Sequence, residues 1–134
     1  MERLPEFLSM FEEYRLDIDP KVKPDFCRPI TDMGDIGTYD LLYTTHVLEH
    51  VYPHEVPLAL AEFKRVTRGV IVIIVPDLEG ILPTDDVLYE SPAGPVCGLD
   101  LFYGKRSMVA DNLYMAHHTC FTAATLEAAM RDAG

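Results

Sequence analysis

Between Tyr39 and Pro76 the spacing of apolar residues changes period twice, and the changes mark out three elements in a row. Tyr39-Asp40-Leu41-Leu42-Tyr43-Thr44-Thr45 is almost continuously apolar or β-branched, which predicts a strand covered on both faces. The polar cluster His46-Val47-Leu48-Glu49-His50 closes it. Pro53 and Pro57 then bracket a helix start, and Val56, Leu60, Phe63 and Val66 recur at helical spacing while Glu55, Glu62, Lys64 and Arg65 fall largely on the opposite side. Gly69 is the expected helix stop. Val70 to Val75 follows as an unbroken run of valine and isoleucine ended by Pro76, the pattern of a central strand with helices on both sides. Strand, helix and strand in this order predict a right-handed crossover between parallel strands, with ligands gathering at the carboxyl ends of those strands. His46 and Asp77 occupy the two ends.

The flanks carry weaker signals. Met1 to Tyr14 mixes acid with Leu4, Phe7, Leu8, Met10 and Phe11, as in a short amphipathic helix. Arg15 to Pro20 reads as a brief strand ending in two carboxylates, and Lys21 to Pro29 as a loop with a short strand near Phe26. Asp32, Gly34, Asp35 and Gly37 then make a turn-rich approach to Tyr39. From Glu79 to Asp111 the prolines at 83, 92 and 95 and the glycines at 80, 94, 98 and 104 leave few residues at any regular period, so an irregular lid or partner surface over 79–119 is expected. Thr122 is a cap candidate for a last helix running through Ala128 toward Gly134.

Composition narrows the classes of function. A chain of 134 residues that is 49% apolar suits a single domain with an ordinary core. Its 22 acidic and 11 basic residues give a net charge of -11, which disfavours nucleic acid or a membrane as primary partner. Apolar runs fall short of the roughly 20 residues a spanning helix needs, and the first residues carry mostly acid instead of a basic leader, so the expected compartment is the cytoplasm. Cys27, Cys97 and Cys120 are odd in number and lack CxxC spacing, so they read as reduced thiols.

Taken together, Leu16-Asp17-Ile18-Asp19-Pro20, Ile30-Thr31-Asp32-Met33, Tyr39-Asp40-Leu41-Leu42, His46-Val47-Leu48-Glu49-His50, Glu62-Phe63-Lys64-Arg65-Val66 and Val75-Pro76-Asp77-Leu78 resemble the class I S-adenosylmethionine-dependent methyltransferases. Tyr89 to Pro95 and Met115 to Thr119 resemble a bacterial subgroup of them, akin to methyltransferase type 11. The resemblance implies an α/β fold with a Rossmann-like parallel sheet and flanking helices, incomplete at both ends. The family's first strand and glycine-rich loop have no counterpart before Arg15, and its later strands none after Gly134. The resemblance further implies S-adenosylmethionine as cofactor and a small-molecule or glycan acceptor. It puts Asp17, with the adjoining Ile18, at the ribose hydroxyls, Asp32 and Met33 at the adenine, and Thr45 and His46 at the sulfonium, with His46 as general base. A non-catalytic remnant that pairs its bare sheet edges in a homodimer is the alternative.

Other readings of the same residues stand beside these. His46, Glu49 and His50 spell HxxEH, the inverted zinc-protease signature, but that motif needs an uninterrupted helix, and Pro53 follows while a strand abuts His46. A cap or hydrogen-bonded pair that fixes the turn is the simpler role for Glu49 and His50. His117 and His118 read first as a packed, hydrogen-bonded pair, with metal or substrate contact as the alternative. His54 reads as solvated. Asp17 and Asp32 also suit plain turn positions, and Tyr89, Tyr103 and Tyr114 an ordinary half-buried loop.

Overall fold

The computed structural model describes residues 4–134. Its centre is the predicted strand–helix–strand unit. β3 (Tyr39–Thr45) lies parallel to β4 (Thr67–Ile74), with Leu41 opposite Val70 and Thr45 opposite Ile74, and α1 (Val56–Val66) connects them. Pro57 sits in the first turn of α1, where its missing N–H costs no hydrogen bond. Val56, Ala59, Leu60, Phe63 and Val66 are buried along one side of the helix, at the spacing read from the sequence. Leu42, Ile71 and Ile73 meet them from the strands, and Met33, Leu48 and Phe121 complete the core. α4 (Ala123–Ala133) adds Leu126, Ala129 and Ala133 to the same layer. Its expected cap is present: Thr122 Oγ accepts the Thr125 N–H at 3.2 Å.

Two further pairs flank this unit. The two brief strands expected here are present as β1 (Leu16–Asp17) and β2 (Phe26–Cys27), and they pair in parallel with Asp17 opposite Cys27. β5 (Val87–Ser91) and β6 (Gly94–Cys97) form an antiparallel hairpin. The fold is therefore mixed α/β with three two-stranded sheets, and no hydrogen-bonded ladder joins them into one sheet among the described residues.

Several expectations are corrected. β4 is no central strand: among the described residues it pairs with β3 alone, and Val70 and Ile74 are 60% and 39% exposed, because α1 and α4 cover only the face that carries Ile71 and Ile73. Gly69 does not stop α1. The helix ends at Val66, Thr67 is already extended, and Gly69 lies inside β4, where a Cβ would run into the Asp40 carbonyl oxygen. The register slips at the same point, between Tyr39 and Leu41, and an Arg68–Asp40 ion pair of 2.7 Å holds it. Within the expected N-terminal helix, Met1 to Arg3 lie outside the described residues, and the rest makes one 3₁₀ turn at Glu6–Leu8. Phe7 and Met10 there are exposed, so no packing surface rewards a longer helix. The segment expected to be irregular holds β5, β6, α2 (Gly98–Tyr103) and α3 (Arg106–Val109), elements too short to register as a period. Among the described residues no helix is long and apolar enough to cross a membrane.

Glu62 ties α1 to the turn before β3. Its carboxylate accepts from Arg65 at 2.8 Å and from the Met33 N–H at 2.7 Å. The Arg65 guanidinium, helped by that backbone N–H and opposed by burial, holds the Glu62 carboxyl down at about 2. Because this folded value lies below the unfolded one, the stabilisation is fully present above the ordinary 4.5 and is lost as pH falls toward 2. Glu62→Gln is expected to remove about 1–2 kcal/mol at neutral pH, a figure reduced for solvent screening, and to flatten the acid limb. Urea unfolding midpoints measured across that acid range check both effects.

Candidate functional site at the turn after β3

The β3 ladder continues one step past Thr45, where the His46 N–H donates to the Ile74 carbonyl at 2.8 Å. His46 then adopts a left-handed backbone, with φ at 54°, which few residues other than glycine accept without strain. This reverses the chain into a 3₁₀ turn at Leu48–His50. Leu48 is fully buried in the core, and Glu49 beside it is only 2% exposed. Glu49 and His50 neither cap a helix nor hydrogen-bond to each other through their side chains, so the expectation of a cap or hydrogen-bonded pair that fixes the turn is corrected. The turn is fixed instead by the segment Ala116–Thr119. The Glu49 carbonyl accepts the His118 and Thr119 N–H groups at 2.8 and 3.1 Å, the Thr119 hydroxyl donates to Val51 at 2.6 Å, and His118 Nδ1 donates to the His50 carbonyl at 2.8 Å.

The same docking brings His117 in. Its N–H donates to the Tyr103 carbonyl at 3.0 Å and its Nδ1–H to the Leu101 carbonyl at 2.8 Å, which fixes the ring from the end of α2. Burial holds the His117 imidazole below its ordinary pKa, outweighing the Leu101 bond and the nearby Glu49 charge. His50 is held alike, its Nδ1–H donating to the Ala116 carbonyl at 3.0 Å. Three ring nitrogens thus surround the buried carboxylate: His46 Nδ1 at 3.6 Å, His50 Nε2 at 3.9 Å and His117 Nε2 at 3.9 Å from Glu49 Oε1. Neither carboxylate oxygen has a hydrogen-bond partner among the described residues.

The other residues singled out in the sequence gather elsewhere. Asp17 ends β1 and accepts the Asp19 N–H on Oδ1 at 2.9 Å, and its carbonyl accepts the Arg28 N–H at 3.1 Å. Ile18 follows, 42% exposed. Asp32 is exposed and pairs with Arg28 at 3.4 Å. Met33 is buried, and it backs a shallow depression of about 320 Å³ shared with Phe26, Cys27, Arg28, Asp35 and Ile36. Asp17, Ile18, Asp32 and Met33 therefore group around the β1–β2 pair, whereas Thr45 ends β3 opposite Ile74 and His46 belongs to the Glu49 cluster. One segment touches both groups: Asn112 donates to Asp19 Oδ2 at 3.3 Å, and His117 and His118 reach Glu49 a few residues later. His54 is exposed, as expected, and stacks on Tyr52. Sequence reasoning weighed Glu49 and His50 apart from His117 and missed that the three converge. Only the HxxEH spacing and the paired histidines hinted at it.

Gly104 sets this convergence, since its φ of 91° turns the chain out of α2 and a Cβ there would strike the Met115 carbonyl oxygen. Gly104→Ala is expected to destabilise the chain by about 1–3 kcal/mol. It should also lift residues 115–117 from the end of α2. A lower melting temperature together with lost exchange protection at the His117 amide checks this.

A scan against family models, a search of curated proteins and a search of solved structures each return no match for this chain.

Proposed function

We propose that this chain is a class I S-adenosylmethionine-dependent methyltransferase acting on an oxygen or nitrogen of a small-molecule or glycan acceptor. The carrying observation is the parallel β3–α1–β4 unit that ends in the left-handed turn at His46, at the strand end where ligands of such units collect. The order of sequence motifs set out above supports the same reading. In it, the parallel pairs β1–β2 and β3–β4 are two parts of a Rossmann-like sheet.

The residues at the β1–β2 end fit a nucleoside. Asp17 uses Oδ1 within its own turn, and its Oδ2 accepts from ribose hydroxyls, with Ile18 alongside. Asp32 accepts from the adenine amine, and Met33 lies under the ring at the floor of the depression. The cofactor supplies an electrophilic methyl group on a sulfonium. Thr45 and His46 would orient the acceptor for in-line attack on that methyl group, and His46 would take the acceptor's proton. A cytoplasmic location is part of the proposal.

One observation favours a second reading, a non-catalytic homodimer. The face of β4 carrying Val70 and Ile74 is exposed, and β1, β3 and β4 each keep an edge without a strand partner among the described residues. Titration calorimetry with S-adenosylmethionine separates the two. Micromolar binding that Asp17→Ala weakens at least ~10-fold is the expected result. No heat at millimolar cofactor, together with a stable dimer in sedimentation, would assign the chain to the second class.

A further inference from the structure

Glu49 presents an electrostatic problem that the methyl-transfer reading does not use. Its carboxylate is nearly sealed from water, and among the described residues nothing donates a hydrogen bond to either oxygen. An ionised carboxylate in that condition is costly unless a positive group compensates it. The flanking histidines do not supply that group through hydrogen bonds. A carbonyl oxygen only accepts, so the bonds from His50 Nδ1 to Ala116 and from His117 Nδ1 to Leu101 put the proton of each neutral ring on Nδ1. Each Nε2 then carries a lone pair, and both lie 3.9 Å from Glu49 Oε1. Protonating Nε2 would not repair this, because 3.9 Å exceeds the reach of a hydrogen bond.

Two imidazole lone pairs and a carboxylate oxygen brought close together are a donor set that suits a transition-metal ion. The ligand atoms of Glu49, His50 and His117 all lie within 4.8 Å of one another. A tetrahedral zinc with ordinary bond lengths would set its ligand atoms about 3.4 Å apart, so each 3.9 Å oxygen–nitrogen distance would contract by roughly half an ångström and the nitrogen–nitrogen distance by up to about 1.4 Å. Both imidazoles already have the backbone-carbonyl partners on Nδ1 that orient metal-bound histidines. A two-nitrogen, one-oxygen donor set suits zinc and its first-row neighbours, not calcium or magnesium. His46, with Nδ1 3.6 Å from the same oxygen and its side chain 56% exposed, stands on the solvent side where further coordination positions would open.

We propose that Glu49, His50 and His117 form a binding site for one divalent first-row transition-metal ion, zinc by preference, open toward His46. The site is not that of an inverted zinc protease, since Leu48–His50 is a 3₁₀ turn and the second histidine comes from residue 117, not 46. Nor does it depend on methyl transfer, so the two proposals stand or fall separately. A bound ion would join the turn after β3 to the segment that follows α3.

The test uses the full chain, stripped with chelator and titrated with Co²⁺ and then Zn²⁺. One Co²⁺ per chain with visible absorption bands typical of imidazole–carboxylate coordination, displaced by Zn²⁺, is expected. Glu49→Gln and His117→Asn should each weaken binding at least ~100-fold, while His54→Ala, which alters a histidine outside the cluster, should bind as the parent does. Zinc should raise the melting temperature of the parent and not of Glu49→Gln, which without metal should melt no lower than the parent because it removes an uncompensated buried charge. Absence of stoichiometric binding would overturn the proposal. So would binding that survives both substitutions, or that His54→Ala weakens as much. Should Glu49→Gln fail to fold, His117→Asn decides alone.

Discussion

The packing of α1 against the β3–β4 pair governs the rest of this molecule. Among the described residues Phe63 and Leu48 are the largest fully buried apolar side chains, and they share one core between the helix and the turn that leads into it. Burying a leucine and a phenylalanine of this kind yields on the order of 2–3 kcal/mol each. Leu48 lies on a tight 3₁₀ turn, so drawing it inward carries its neighbour Glu49 out of water as well. The hydrophobic term draws a polar side chain to a place where that side chain alone would not go. The unusual chemistry of the site thus follows from ordinary core formation one residue away.

A second constraint comes from distant sequence. Segment 112–119 has little regular structure, yet its backbone and side chains reach Asp19 at one end and the Glu49–Val51 turn at the other. Such a segment stays ordered only because polar groups on both sides need partners: the Glu49 and His50 carbonyls lie inside a turn that leaves them unpaired locally. The stretch is therefore a strap whose docking assembles the histidine cluster, and the hinge that starts it is Gly104, where only glycine accepts both the dihedral and the contact.

Legibility in the sequence tracked the length of each element. β3, α1 and β4 announced themselves because each repeats one period over enough residues to exclude the others, and Thr122 foretold α4 through its cap. What that pattern lacked was the environment. A run of valine and isoleucine states that a strand is apolar, not that both faces are covered, and here Val70 and Ile74 are not. Gly69 shows a related ambiguity, since a glycine after a helical stretch suits a cap as well as a bulge, and the Asp40 carbonyl that decides it is 29 residues away in sequence. The site was less legible still. His50 and His117 are separated by 67 residues in sequence, and no periodicity predicts that backbone carbonyls at Ala116 and Leu101 orient both rings toward one carboxylate.

The position of His46 links the two proposals and limits how they combine. As a proton acceptor in methyl transfer it needs a ring lone pair directed at the substrate, while as an additional metal ligand it would spend that lone pair on the ion. Its Nδ1 lies 3.6 Å from Glu49 Oε1, so metal at Glu49 and substrate at the strand end would compete for a single imidazole. The left-handed backbone at His46 restricts the ring to one side of the turn and narrows the ways that competition can be relieved. With a net charge of -11 the surrounding field concentrates cations, which favours occupancy by metal whenever it is available. An ion that took His46 as a ligand would remove the residue best placed to act as base, so methyl transfer by this route would require His46 to stay off the metal.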